Sequence, residues 1–494
     1  MARKLPIFYS ALMLTGVNLL LRLVSTSFQV YISGQIGAAG VGLLQLVLSV
    51  GMLAMTAGTA GIRTTAMYLT AEEMGRKKKG TVCWVLSGCF LYSIVCSGIV
   101  AGCLYAFAPQ IASGWIGNSN TINALRLLAG FLPVSCLCGV MVGYFTAANR
   151  IATLAFVEVA EQLCSMAVTV AALRFWAGSD PARACQSVVL GSGIGACLTL
   201  LCLVILRLRE RIKVAPRIPV RSRIFQMALP LALADDLKSG ISTAENLMVP
   251  KRLALYPGVG DSLAAFGTVC GMVFPVLMFP AAILYGLAEL LIPELARCAA
   301  AGSHSRIRYL VRRSLRVSML YGCFFASLMY LTANSLCGAL YHNAQAGMWL
   351  RQFSPLIPML YCDAVTDAMT KGLGQQKACV RYNILTSFLD VVFLFLLLPR
   401  YGMQGYFISF LVTHLLNFIL SLRQLLKITG LTLQVKVPLL TAVSGMLAVW
   451  ASSLLPAPVL QAVGCVLIMG CLLYLMKIIG KEDVLWVKGL VCKK

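Results

Sequence analysis

Four basic residues lie inside stretches that are otherwise apolar: Arg22, Arg63, Arg126 and Lys238. A charge deep in a hydrocarbon span is costly and usually faces a protein interior or a water-filled cavity. Guanidinium groups form paired hydrogen bonds with phosphate oxygens and stay charged when partly desolvated. Arg22 and Arg63 therefore suit a diphosphate, and Lys238 can complete the same basic cavity. The plainer alternative is that each reaches a helix end and snorkels, or pairs with an acid. Arg22 lies well inside its stretch, Arg63 nearer one end, and Arg126 early enough to snorkel outward.

Carboxylates form a second set. Asp235, Asp236, Lys238, Glu245 and Asn246 share one stretch, with Asp235 and Lys238 at i, i+3. They form either an internal ion pair or a group in which an acid takes part in ion coupling. Asp363 and Asp367, at i, i+4, can share a proton or bind Na⁺, or line a polar vestibule. Asp235, Asp236, Asp363 and Asp367 are thus the candidates for ion coupling. A coupling cation, H⁺ or Na⁺, is the only cofactor expected. Glu158, Glu161, Glu289 and Glu294 read as interfacial, and Asn18, Gln29 and Gln45 as helix-packing polar groups.

Other chemistry finds little support. The 19 cysteines make no CxxC pair and fall mostly within apolar stretches, as small buried residues do. Three histidines, His304, His342 and His414, are too scattered for a metal centre. There is no Walker A motif, no Gly-rich nucleotide loop and no hydrolase or metalloenzyme signature. An enzyme is not expected.

The elements that must position these residues follow from composition. Of 494 residues, 59% are hydrophobic and 12% charged, about half the charged share of an average soluble domain. Apolar runs long enough to cross a bilayer recur from end to end. They predict an all-α polytopic membrane protein with about fourteen spans, near 5–32, 41–69, 81–108, 123–147, 151–176, 185–207, 224–249, 262–292, 311–338, 348–370, 379–399, 403–426, 435–455 and 458–479. A loop over 33–40 joins the first two. The first run is too long for a signal peptide and reads as an uncleaved span.

Charge gives the orientation. With Arg3 and Lys4 on the cytoplasmic side, only Arg174, Arg183, Lys251, Arg252, Arg351 and Arg400 fall outside. Arg22, Arg63, Arg126 and Lys238 lie within spans, and the remaining Lys and Arg fall inside. This asymmetry puts both termini in the cytoplasm. The net charge of +24 is scattered in such clusters, notably Arg76–Lys79 and the linker Arg207–Arg223, so no nucleic-acid partner is expected. The external loops are too short for a catalytic domain.

The halves resemble each other. Ala11–Thr26 aligns with Ala228–Thr243, and Leu125-Arg126 and Pro133 with Leu350-Arg351 and Pro358. Two six-helix lobes of like orientation, 1–213 and 214–430, would face each other across a cationic cavity, and 431–494 adds a helix pair and a basic tail.

Ile36-Gly37-Ala38-Ala39-Gly40-Val41-Gly42-Leu43-Leu44-Gln45-Leu46, then Ala60-Gly61-Ile62-Arg63 and Ala71-Glu72-Glu73, resemble the N-terminal pattern of the stage V sporulation protein B family. Val249–Leu253, Phe279-Pro280 and Leu291–Glu294 are similar to its second half. That family belongs to the multidrug/oligosaccharidyl-lipid/polysaccharide (MOP) exporter superfamily, which includes a lipid II flippase. The resemblance implies two six-helix lobes plus a helix pair, export of a polyprenyl-diphosphate-linked sugar, and a cavity role for the first-helix residue that Arg22 matches. Where the family often has arginines later in that helix, this chain has Gln29 and Gly34.

The expected function is an alternating-access flippase for a lipid-linked oligosaccharide, a peptidoglycan or polysaccharide precursor, in a bacterial plasma membrane. Its partners would be the lipid-linked sugar, membrane lipid and cell-wall synthesis enzymes. The alternative is a cation-coupled multidrug exporter of the same fold.

Overall fold

The computed structural model describes residues 5–75, 81–148, 150–178, 180–209, 221–258, 260–432, 436–476 and 478. The basic knot Arg76–Lys79, most of the 207–223 linker, Arg3, Lys4 and the basic tail lie outside them. Among the described residues there are helices and no strands. Apolar sequence in lipid leaves the backbone no water to bond, so each segment must satisfy its own N–H and C=O groups.

The helices in chain order are α1 (Leu5–Thr59), α2 (Ile62–Gly75), α3 (Val82–Gln110), α4 (Ile122–Ala147), α5 (Ile151–Ala172), α6 (Pro181–Leu208) and α7 (Arg221–Leu253). They continue as α8 (Ser262–Phe266), α9 (Phe274–Met278), α10 (Ala281–Ala300), α11 (His304–Tyr341), α12 (Ala344–Phe353) and α13 (Ile357–Gly372). The last are α14 (Gln376–Tyr401), α15 (Met403–Thr429), α16 (Lys436–Ser453) and α17 (Pro458–Leu475). Every expected span overlaps a described helix. Nine described helices are long and apolar enough to cross a membrane, or ten if the bent pair around 279–280 is one span. The protein is therefore a multi-pass membrane protein. The longest of these segments, Leu19–Met74, takes in the expected span 41–69 and the later part of 5–32. Segment α7 has the length, but it carries Asp235, Asp236, Lys238 and Glu245.

Three breaks depart from the expected pattern. The loop expected over 33–40 is helical on both sides of Gly37, whose φ of 68° and ψ of 179° alone leave the helix. One glycine can take that conformation, so the neighbours need not unwind. The expected span 41–69 is interrupted at Ala60 (φ 42°) and Gly61 (φ 69°). The expected span 262–292 turns by 62° after Met278. Proline at 280 has no N–H to give the preceding turn, and two carbonyls at the bend accept tyrosine hydroxyls: Tyr361 donates to Leu277 O and Tyr321 to Pro280 O, each at 2.8 Å.

The chain forms two compact units, one of Met1–Gly271 with Leu394–Gly402, the other of Met272–Phe393 with Met403–Lys494. The first unit has its core where Ile62, Val82, Val140, Phe145, Leu203 and Ile224 meet from α2, α3, α4, α6 and α7. Arg223 at the start of α7 reaches Glu72 (2.6 Å) and Glu73 (3.6 Å) at the end of α2. At the other end of α7, Lys251 donates to the Gly114 carbonyl beyond α3. In the second unit, α11, α16 and α17 pack around Cys323, Ala448, Met469 and Leu473.

Candidate functional site

In the first unit, α7 lies against the part of α1 that follows Gly37. Thr56 Oγ1 meets Ser239 Oγ at 3.3 Å, Thr243 donates to Ser49 O at 3.0 Å, and Asn246 donates to Ser49 Oγ at 3.1 Å. As numbers rise along α7 they fall along α1, so the pair is antiparallel. This register sets Lys238, beside Ser239, near the end of α1 and its break at Ala60-Gly61. Tyr92 of α3 donates to the Ala60 carbonyl at 3.3 Å and interacts electrostatically with Asp236.

The break places Arg63 on the first turn of α2. Freed N–H groups and the positive end of a helix dipole favour anions there. The close fit of α2 on α4 fixes that turn, because a Cβ on Gly143 would come within 2.6 Å of Arg63 O. The Arg63 side chain is exposed and acts electrostatically on Glu158 of α5.

The expected basic residues take different places. Lys238 and Asp235 are exposed, and no ion pair joins them among the described residues. Asp236 is half-buried beside Asp235, and its Oδ1 is buried without a hydrogen-bond partner. Arg22 is exposed on the part of α1 before Gly37, with no hydrogen bond or ion pair among the described residues. Among the described residues no hydrogen bond or ion pair joins Arg22, Arg63 and Lys238. Arg126 lies over the Tyr105 ring, 5.1 Å from its centroid. Glu161 sits in the middle of α5 rather than near its end, and its Oε2 accepts the Thr199 hydroxyl at 2.7 Å.

The second unit holds a polar network that extends the expected Asp363–Asp367 pair. Asp363 Oδ2 accepts Asn417 Nδ2 at 3.0 Å, and Asp367 pairs with Lys371 at 2.7 Å. The Oδ1 atoms of both aspartates are buried without a hydrogen-bond partner. Asn417 Oδ1 also accepts from Thr386 of α14 at 3.5 Å. One turn further along α14, Asp390 Oδ1 accepts the Ser409 hydroxyl at 2.5 Å and the Thr413 hydroxyl at 3.1 Å. His414 stacks on Phe410, with ring centroids 3.8 Å apart, and its Nδ1 lies 3.0 Å from Phe410 O. Asp390, which is 6% exposed, and Asn417, at 8%, escaped the reading by residue type. Their signal was periodic: Ser409, Thr413, Asn417 and Ser421 recur every four residues along apolar α15 and form one buried polar stripe.

Carboxylate, amide and hydroxyl oxygens of this kind suit a hard cation or a proton, whereas the exposed cations of the first unit suit an anion. Among the described residues, no group of three or more His, Cys, Asp or Glu could hold a metal ion.

Comparison with known proteins agrees with this architecture. A sequence profile of the family described as polysaccharide biosynthesis protein matches residues 42–343. Stage V sporulation protein B of Bacillus subtilis (strain 168) is 20% identical over 438 residues, covering 86% of this chain and 84% of that protein. The solved structure of the lipid II flippase MurJ, in an inward closed conformation, superposes with a TM-score of 0.69 at 11% identity, over 94% of this chain and 98% of the other. An inward-facing multidrug resistance MATE family transporter of the MOP superfamily gives 0.64 at 13% identity, over 88% and 98%. At these identities the structures establish the fold, which is that of MOP-superfamily transporters. The resemblance read from Ile36–Leu46 and Ala60–Arg63 is borne out.

Proposed function

The chain belongs to the polysaccharide biosynthesis protein family, and from that premise we propose that it is an alternating-access flippase for a polyprenyl-diphosphate-linked oligosaccharide. The cargo is a cell-wall precursor, peptidoglycan or polysaccharide, and the protein works in a bacterial plasma membrane with both termini cytoplasmic. It is a transporter rather than an enzyme.

One observation carries the reading. The first unit presents exposed cations on three segments, Arg22 on α1, Arg63 at the start of α2 and Lys238 on α7, none of them in an ion pair among the described residues. Cations within apolar helices are expensive to keep unless an anion uses them. The diphosphate is that anion, and the polyprenyl tail stays in lipid. A cation gradient or the membrane potential drives the cycle, with Asp363 and Asp367 as the coupling carboxylates and Asp235 and Asp236 beside Lys238 as a second acidic group. Lipid-linked sugar, membrane lipid and cell-wall synthesis enzymes are the partners.

The test is movement of a labelled polyprenyl-diphosphate saccharide across liposomes that carry the purified protein. The carboxylates of the second unit would also serve a cation-coupled multidrug exporter. Movement of an organic cation, lost on Asp363→Asn or Asp367→Asn, with no movement of the lipid-linked sugar, would favour that second reading.

A further inference from the structure

A chain of close contacts fixes one level across the first unit. A Cβ on Gly139 of α4 would lie 3.7 Å from Arg63 Cβ on α2. The neighbouring Cys138 donates to the Ala196 carbonyl of α6 at 3.2 Å. Gly195, one residue back, brings α6 so near α5 that a Cβ there would lie 3.3 Å from Glu161 Cγ. Arg63 and Glu161 therefore stand at the same height, on helices packed around α4 and α6. Glu161 is occupied there, accepting the Thr199 hydroxyl. Glu158 lies three residues earlier on α5, about 4.5 Å along the axis and on nearly the same face. It is half-buried and, among the described residues, makes no hydrogen bond or ion pair; it interacts electrostatically with Arg63 and Glu161. Arg63 is exposed and likewise without an ion pair among the described residues. A guanidinium and a carboxylate thus act on each other across a gap. A ligand with an anion at one end and a hydrogen-bond donor at the other can bridge it.

We propose that Glu158 is a specificity-determining residue for the cargo: with the diphosphate on Arg63, its carboxylate accepts a hydroxyl or acetamido N–H of the first sugar. The inference rests on the flippase reading above and deepens it. The chemistry of the two ends selects this ligand. An ionised carboxylate only accepts hydrogen bonds, and hydroxyl and amide groups are the donors a sugar presents beside its phosphate. A bond from such a donor to a charged acceptor is among the stronger ones. The carrier diphosphate without its sugar brings no such donor, and Glu158 repels its charge. One carboxylate thus favours the loaded lipid and disfavours the empty carrier, which is specificity by attraction and repulsion together. A carboxylate within an apolar helix is costly to keep, and this use accounts for it.

Native mass spectrometry of the full-length protein reads the selectivity directly, with undecaprenyl diphosphate N-acetylglucosamine and undecaprenyl diphosphate as the two probes. The wild type should bind the sugar-bearing lipid about tenfold more tightly. Glu158→Ala should bring that ratio to about one or below, by weakening the sugar-bearing lipid while the sugarless one binds at least as well as before. The isosteric Glu158→Gln keeps a neutral acceptor and should lower the ratio about threefold, with the thermal melt unchanged. An equal change for both lipids in a folded Glu158→Ala protein would make the residue a counter-charge for Arg63 and overturn the proposal. An unaltered ratio in the folded variants would overturn it too, as would a wild type that binds both lipids alike. Those three results leave the flippase reading standing. A wild type that binds neither lipid would contradict that reading, and the proposal with it.

Discussion

Asn417 ties Asp363 to the buried stripe of α15. Its Nδ2 donates to Asp363 Oδ2 at 3.0 Å, while its Oδ1 accepts from Thr386 at 3.5 Å. One amide thus links α13, α14 and α15. A buried polar network of this kind rigidifies only while its members are satisfied.

Asp363 separates a structural role from a coupling role. Asp363→Asn keeps an acceptor for Asn417 and removes the charge. It should change stability by less than about 1 kcal/mol and abolish stimulation of transport by a cation gradient. Asp363→Leu strands the Asn417 amide and should cost about 1–3 kcal/mol. Chemical denaturation in detergent and a gradient-driven flux assay check the two halves. Equal stability of the two variants would contradict the structural half, and normal gradient stimulation in Asp363→Asn the coupling half.

Asp390 should matter more for folding than its absence from any motif suggests. It accepts two hydroxyls at a position 6% exposed. Asp390→Ala leaves Ser409 and Thr413 without their shared acceptor and should destabilise by about 1–3 kcal/mol. The double change Ser409→Ala, Thr413→Ala should cost a similar amount, and adding Asp390→Ala to it little more. Additive effects in that cycle would show that the three do not act together.

Helix approach around Gly37 depends on absent side chains. A Cβ on Gly42 would come within 2.3 Å of Leu263 O, and one on Gly267 within 2.1 Å of Ala38 O. Gly42→Ala and Gly267→Ala should each destabilise the protein by about 1–3 kcal/mol through overpacking. Gly98→Ala, with nothing within 4 Å of the new methyl, should be neutral or slightly stabilising. Thermal unfolding of the three variants in one detergent is the comparison.

Arg223 fastens the start of α7 to Glu72 and to Glu73, which is 3% exposed and also accepts Thr81 at 2.6 Å. Arg223→Ala should cost about 1–3 kcal/mol, since a charge is left in a poorly solvated place. Arg223→Lys can satisfy one carboxylate and should recover part of the loss. Denaturation midpoints that match the wild type in Arg223→Ala would show that the contact is only superficial.

Much of this was legible in the sequence. Long apolar runs in lipid have one economical answer, the helix, so the spans could be placed to within a turn or two. The breaks were harder. Ala60-Gly61 lies in a stretch with Gly58, Gly61, Thr56 and Thr59 that still reads as part of one span, and no residue type there marks a left-handed alanine. The Asp363–Asp367 pair stood out because two acids one turn apart are rare in an apolar helix. Asp390 stood alone on its helix, and its hydroxyl partners come from another segment. Only the four-residue recurrence from Ser409 to Ser421 pointed to it.

The central claim is that cations of the first unit hold the diphosphate of a lipid-linked sugar. Its most direct test is flipping of a labelled polyprenyl-diphosphate saccharide in proteoliposomes by the wild type, Arg22→Ala and Lys238→Ala. Movement by the wild type, with a loss of at least about tenfold in each folded variant, is expected, each lost charged contact weakening transition-state binding by about 1.4 kcal/mol or more. Undiminished movement in both variants would contradict the assignment of these cations. No movement by the wild type, under either a cation gradient or a membrane potential, would contradict the flippase reading itself.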